Sequence, residues 1–117
     1  MNTQEQQFAA LAAEGVRKMR RPPRPTEALK PERIQEELKK LRGWRLAPDG
    51  QAILFSREFS QPWAAAKFAS FVAELAMADR QPVHLGITGS RVLLTLPRRA
   101  NTAGLTMPVF AFARQLG

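Results

Sequence analysis

The sequence predicts an α+β domain in the order helix, hairpin, helix, hairpin, helix: a four-stranded antiparallel sheet with three helices packed on one face. Three observations lead there. Apolar residues recur at helical spacing around Ile34, Val72 and Val109. Short runs of alternating apolar residues lie between those segments. Each pair of runs is joined by a turn signal, Pro48-Asp49-Gly50 in the first and Gly89-Ser90 in the second.

The elements follow in order. Residues 1–30 are set apart as a basic, largely flexible N-terminal arm, and residues 31–117 form the domain. Within the arm, Gln4 to Ala13 has helical character through Phe8 and Leu11, and Gly15 interrupts it. The run from Val16 to Pro25 holds Arg17, Lys18, Arg20, Arg21 and Arg24, no acid, and prolines that prevent helix. The first domain helix starts at Pro31, a favoured first-turn residue, carries Ile34, Leu38 and Leu41, and stops at Gly43. Trp44–Leu46 and Ala52–Phe59 are the first two strands. Pro62 opens a long helix to about Ala78, whose inward face is read as Phe68, Phe71, Val72 and Leu75. Strands His84–Thr88 and Arg91–Leu96 form the second hairpin. Residues 97–103 are a loop. Thr106 is expected to cap a last helix bearing Val109, Phe110, Ala113 and Leu116, with Pro108 in its first turn.

Composition excludes several classes of chemistry. The chain has no cysteine, which removes disulfides and thiolates, and one histidine, His84, too few for a multi-histidine metal centre. No metal or cofactor is expected. No apolar run approaches membrane-spanning length, so a cytoplasmic protein with no membrane association is expected. The formal charge of +8 draws it to acidic surfaces. There is no phosphate-binding glycine loop. Glu37, Glu58, Glu74 and Asp79 read as solvated, and Trp44 and Trp63 as core or interface packing.

From Leu38 to Leu116 the chain resembles the pterin-4a-carbinolamine dehydratases. The matching frame is Leu38-x-x-Leu41-x-Gly43-Trp44, Phe59, the helical run Phe68 to Ala76, then Val92, Leu94, Leu96 and Gly104-Leu105-Thr106. In that family a His-His-Pro follows the long helix and a Thr-His precedes Gly-Leu-Thr. An ungapped match sets Gln81 and Pro82 at the paired histidines and Arg99 at the third, while a one-residue slide sets Arg80 and Gln81 there. The ungapped frame keeps the alternating strands in step. Neither frame supplies a histidine.

The resemblance implies a dimeric or tetrameric α+β protein. Its chemistry needs proton transfer near neutral pH, for which imidazole is suited. Gln81 does not titrate, Pro82 has no polar side chain, and Arg99 is permanently protonated. His84 matches an acidic family position and reads as a surface residue. No catalytic residue is therefore assigned; Gln81, Pro82 and Arg99 form a degenerate former active site. The resemblance is closest to a branch lacking the histidines, the pterin-dehydratase-like RuBisCO assembly factors associated with α-carboxysomes. It implies binding of the RuBisCO large subunit or another acidic protein. Candidate binding residues are Arg80 and Arg99, which the resemblance brings to the mouth of the former pocket, with Arg98 and His84 beside them and Arg17, Lys18, Arg20, Arg21 and Arg24 in the arm. The alternatives are an active dehydratase with a rebuilt site and a dimerisation cofactor associated with nucleic acid, ranked last because no recognition helix or aromatic-basic interleaving is present.

Overall fold

The computed structural model describes residues 22–116. The expected helix at Gln4–Ala13 and the arm residues Arg17, Lys18, Arg20 and Arg21 lie outside them. The elements are α1 (Pro31–Lys39), β1 (Trp44–Leu46), β2 (Ala52–Glu58), α2 (Pro62–Asp79), β3 (His84–Thr88), β4 (Arg91–Pro97) and α3 (Met107–Gln115). The strands form one antiparallel sheet in the order β1-β2-β4-β3. The predicted element order and fold class hold.

Side chains alternate across a strand, and the burial follows. Val92, Leu94 and Leu96 of β4 are buried and face Arg57, Phe55 and Ile53 of β2 in register. Trp44 pairs with Phe55 and stacks on it with ring centroids 4.9 Å apart. Arg57, at the end of this row, lies over the Phe59 ring at 4.8 Å. Gly43, at φ +80°, ends the turn after α1; a Cβ there would meet the Phe55 ring at 3.3 Å.

Two expectations about the helices are corrected. The buried stripe of α2 is Ala65, Ala69, Val72 and Ala76. Phe68 and Leu75 only flank the core, and Phe71 is 50% exposed. At about 100° of turn per residue, Phe71 points roughly 130° away from the middle of the stripe of Ala65, Ala69, Val72 and Ala76, and the small alanines let the helix lie close to the sheet. Trp63 on the same helix is also exposed, which removes it from the core. Thr106 holds the N-cap position of α3 but makes no capping bond, and its hydroxyl is buried without a hydrogen-bond partner among the described residues. A capping side chain bonds the N–H of the second or third helical residue. Here the second is Pro108, which has none, and the Val109 N–H bonds the Thr106 carbonyl at 3.2 Å.

The packed chain also begins before the boundary set at residue 31. The Leu29 N–H donates to the Leu105 carbonyl at 2.8 Å, and its side chain packs against the core. Glu37 is not solvated: it is 1% exposed and accepts from Arg33 (3.2 Å) and Lys40 (3.1 Å) on its own helix and from Arg114 of α3 (3.0 Å). Burial pushes its carboxyl up, but the hydrogen bonds and charges of Lys40 and Arg33 outweigh that and hold it below its ordinary value.

Candidate functional site

The end of α2 sets the site. Arg80 takes the left-handed conformation (φ 52°, ψ 36°), and the Gln81 N–H returns to the Ala76 carbonyl at 2.9 Å. This six-to-one closure is a Schellman turn with arginine in the position glycine usually holds. It reverses the chain, leaves Arg80 exposed and carries Gln81 inward, where it is 3% exposed.

Gln81 then joins three chain segments. Its amide nitrogen donates to the Pro82 carbonyl at 2.9 Å and to the Pro97 carbonyl, at the end of β4, at 3.1 Å. Its amide oxygen accepts from Arg99 Nε at 2.8 Å. Arg99 Nη2 reaches the Asp79 carboxylate at 2.6 Å. The positions read as a degenerate active site thus come together, and they are bonded to one another.

The loop that presents Arg99 is held by its own bonds. Arg98 N–H donates to the Gln51 carbonyl at 2.9 Å, and its guanidinium donates to the Thr102 carbonyl. The Thr102 hydroxyl lies 2.7 Å from the Arg99 carbonyl and 3.1 Å from that of Gly104. Asn101 turns the loop at φ 62°, a conformation asparagine tolerates well.

The proposed binding residues do not form one cluster. Arg99 and Arg98 are engaged within the domain. Arg80 is exposed: its backbone N–H donates to the Met77 carbonyl at 3.3 Å, and its guanidinium has no hydrogen bond or ion pair among the described residues. His84 opens β3 on the face opposite the helices, because its neighbour Leu85 packs against the core. It therefore stands apart from the Gln81–Arg99 network. Arg24 is exposed, and its backbone N–H donates to Glu27 at 3.3 Å. A groove of about 320 Å³ runs beside the network, lined by Asp79, Arg99, Met107, Pro108 and Ala111.

The arrangement holds no group suited to shuttle a proton at neutral pH: an amide, a permanently charged guanidinium and a carboxylate already paired to it. Among the described residues, no group of His, Cys, Asp and Glu is placed to hold a metal ion, and no helix is long and apolar enough to cross a membrane.

Asp79 is exposed, as the sequence suggests, but it also pairs with Arg99, and neither that pairing nor the Thr102 bond to the Arg99 carbonyl has a local sequence signal. Asp79 lies 20 residues from Arg99 in the chain, so no local spacing links them. The Glu37 cluster was partly readable, since Arg33 and Lys40 stand four residues before it and three after it on one helix face. Arg114 was not.

No protein-family model matches the chain, and no curated protein matches it. Among solved structures, it is similar to the transcriptional coactivator/pterin dehydratase from Brucella melitensis. The TM-score is 0.70 and the identity 24%, over 77% of this chain and 95% of the other. The chain has the pterin dehydratase fold.

Proposed function

We propose that this chain is a non-catalytic member of the pterin dehydratase-like proteins. On this reading it binds the RuBisCO large subunit, or another acidic protein, as an assembly factor associated with carboxysomes. The observation that carries the reading is the bonded set Gln81, Pro82 and Arg99 at the positions where the resembled enzymes use histidines. A guanidinium tied to a buried amide fills the place of two titrating imidazoles. The charge of +8 suits an acidic partner. The protein works as a homo-oligomer, dimer or tetramer. The outward side of α2 carries exposed Trp63, Phe71 and Met77, and among the described residues β3 is a sheet edge with no strand paired on its outer side.

The test has two arms. Purified protein is assayed for carbinolamine dehydration, and the chain is co-expressed with RuBisCO large subunit and the complex recovered. Background turnover with large-subunit capture supports the reading. Clear turnover without capture favours the second reading, a dehydratase with a rebuilt site. That reading draws on the similarity to the transcriptional coactivator/pterin dehydratase from Brucella melitensis. A nucleic-acid role ranks below both.

A further inference from the structure

The helices cover one face of the sheet, and the other is bare among the described residues. A trough of about 480 Å³ crosses β1, β2 and β4 on that side, lined by Arg45, Leu54, Ser56, Arg91, Leu93 and Thr95. Leu93 is 49% exposed although it sits in an inner strand. Its cross-strand partners explain this: Ser56 of β2 on one side and Gly86 of β3 on the other. Neither is large enough to cover it.

Gly86 is not demanded by the backbone. It is not among the positive-φ residues, and an added Cβ would meet only the Leu93 Cβ, at an ordinary 3.8 Å. Glycine inside a strand weakens it and often marks a place where a ligand or another chain approaches. Here it leaves an apolar spot open.

The charge around that spot is unbalanced. Glu58 is the one carboxylate in the four strands, and it is engaged by Arg91 Nε at 2.9 Å and Ser90 Oγ at 3.1 Å. Arg91 holds the Glu58 carboxyl below its ordinary value. Arg45 has no ion pair among the described residues.

We infer that this open face, centred on Leu93 and Gly86 with Arg45 at its rim, docks a segment of an acidic partner protein bearing an apolar side chain between carboxylates. The inference rests on the reading of the chain as a binder of an acidic protein, and it names the surface used. Single-stranded nucleic acid fits less well, because it binds on exposed aromatic rings. The aromatic strand residues Trp44 and Phe55 are turned to the core. A second copy would set like charges face to face.

The probe is a fluorescein-labelled peptide, Asp-Glu-Leu-Leu-Asp-Glu, titrated with the full chain and followed by anisotropy. Wild type binds it, more weakly as salt rises. Gly86→Val fills the gap with a residue suited to strands, and Arg45→Glu reverses the rim charge. Each weakens binding about tenfold or more with the circular dichroism spectrum unchanged. Lys67→Glu, exposed on α2 away from this face, leaves binding within about twofold. No binding by wild type, or binding that ignores both face substitutions, overturns the inference. The same variants are co-expressed with RuBisCO large subunit. Equal capture by wild type and both face variants overturns the inference and leaves the proposed function standing. Peptide binding lost in the face variants, with no capture even by wild type, overturns the RuBisCO reading and leaves the surface assigned.

Discussion

Arg99 locks Gln81 in place from 18 residues further along the chain, its Nε–H donating to the Gln81 amide oxygen at 2.8 Å. The bond fixes which way the amide faces and so aims its nitrogen at the Pro82 and Pro97 carbonyls. Gln81→Ala therefore leaves two carbonyls and a guanidinium short of partners, and should cost about 2 kcal/mol in urea unfolding. Arg99→Ala should cost a similar amount, and Arg99→Lys less, because an ammonium keeps the charge without the two-point fork. An unchanged midpoint in Gln81→Ala would show that water replaces the network freely. Arg99→Glu is for the same reason a poor probe of docking, since it disturbs the fold as well as the surface.

Glu37 joins α1 to α3 through Arg114. Glu37→Gln should destabilise the domain by about 1–2 kcal/mol at neutral pH, moderated because its cationic partners can reach water. The folded carboxyl lies below its ordinary value, so its contribution is present above the unfolded pKa, about 4.3, and is lost as pH falls through the folded value. The stability gap between wild type and Glu37→Gln should thus narrow below about pH 4. A gap that stays constant to lower pH would mean that shape, not charge, sets the effect.

Dehydration of a carbinolamine by the purified chain should not exceed the uncatalysed rate, and His84→Ala should leave that rate unchanged. The site network has no titrating imidazole, and His84 lies across the sheet from it. Stopped-flow measurement of turnover decides this, and a robust rate abolished by His84→Ala would overthrow the non-catalytic reading.

Sedimentation equilibrium over a concentration series should find wild type as a dimer or larger. Trp63→Glu or Phe71→Glu should shift it toward monomer without unfolding it, because both side chains stand outward on α2. A wild type that stays monomeric at high micromolar concentration would leave that apolar side without a homotypic role.

Removing residues 1–30 should lower the melting temperature. The deletion takes away the Leu29 side chain and its N–H bond to Leu105. Half-burial of a leucine plus one hydrogen bond is worth about 2 kcal/mol, or roughly 10 °C for a domain of this size. Leu29→Ala in the full chain should lose about half of that. An unchanged melting temperature would place the functional start of the domain at Pro31.

The sequence by itself determined the element order, the fold class and the presence of a single histidine. Those are local or composition properties. The apolar residues around Ile34, around Val72 and around Val109 repeat at the period of a helix, Val92, Leu94 and Leu96 at the period of a strand, and the count of a residue type is read directly. The turns at Gly50 and Gly89 were equally legible, because both need a positive φ. Only the tertiary structure decided what the side chains do across elements. Periodicity admits Phe71 to the apolar face of α2, but the distance to the sheet selects the alanines. Thr106 has the right residue type for a cap, but Pro108 removes the donor it would bond. Asp79, Gln81 and Arg99 form one network because a Schellman turn and the end of β4 bring distant segments together. The exposure of Leu93 depends on Ser56 and Gly86 lying beside it, a register that no single strand specifies.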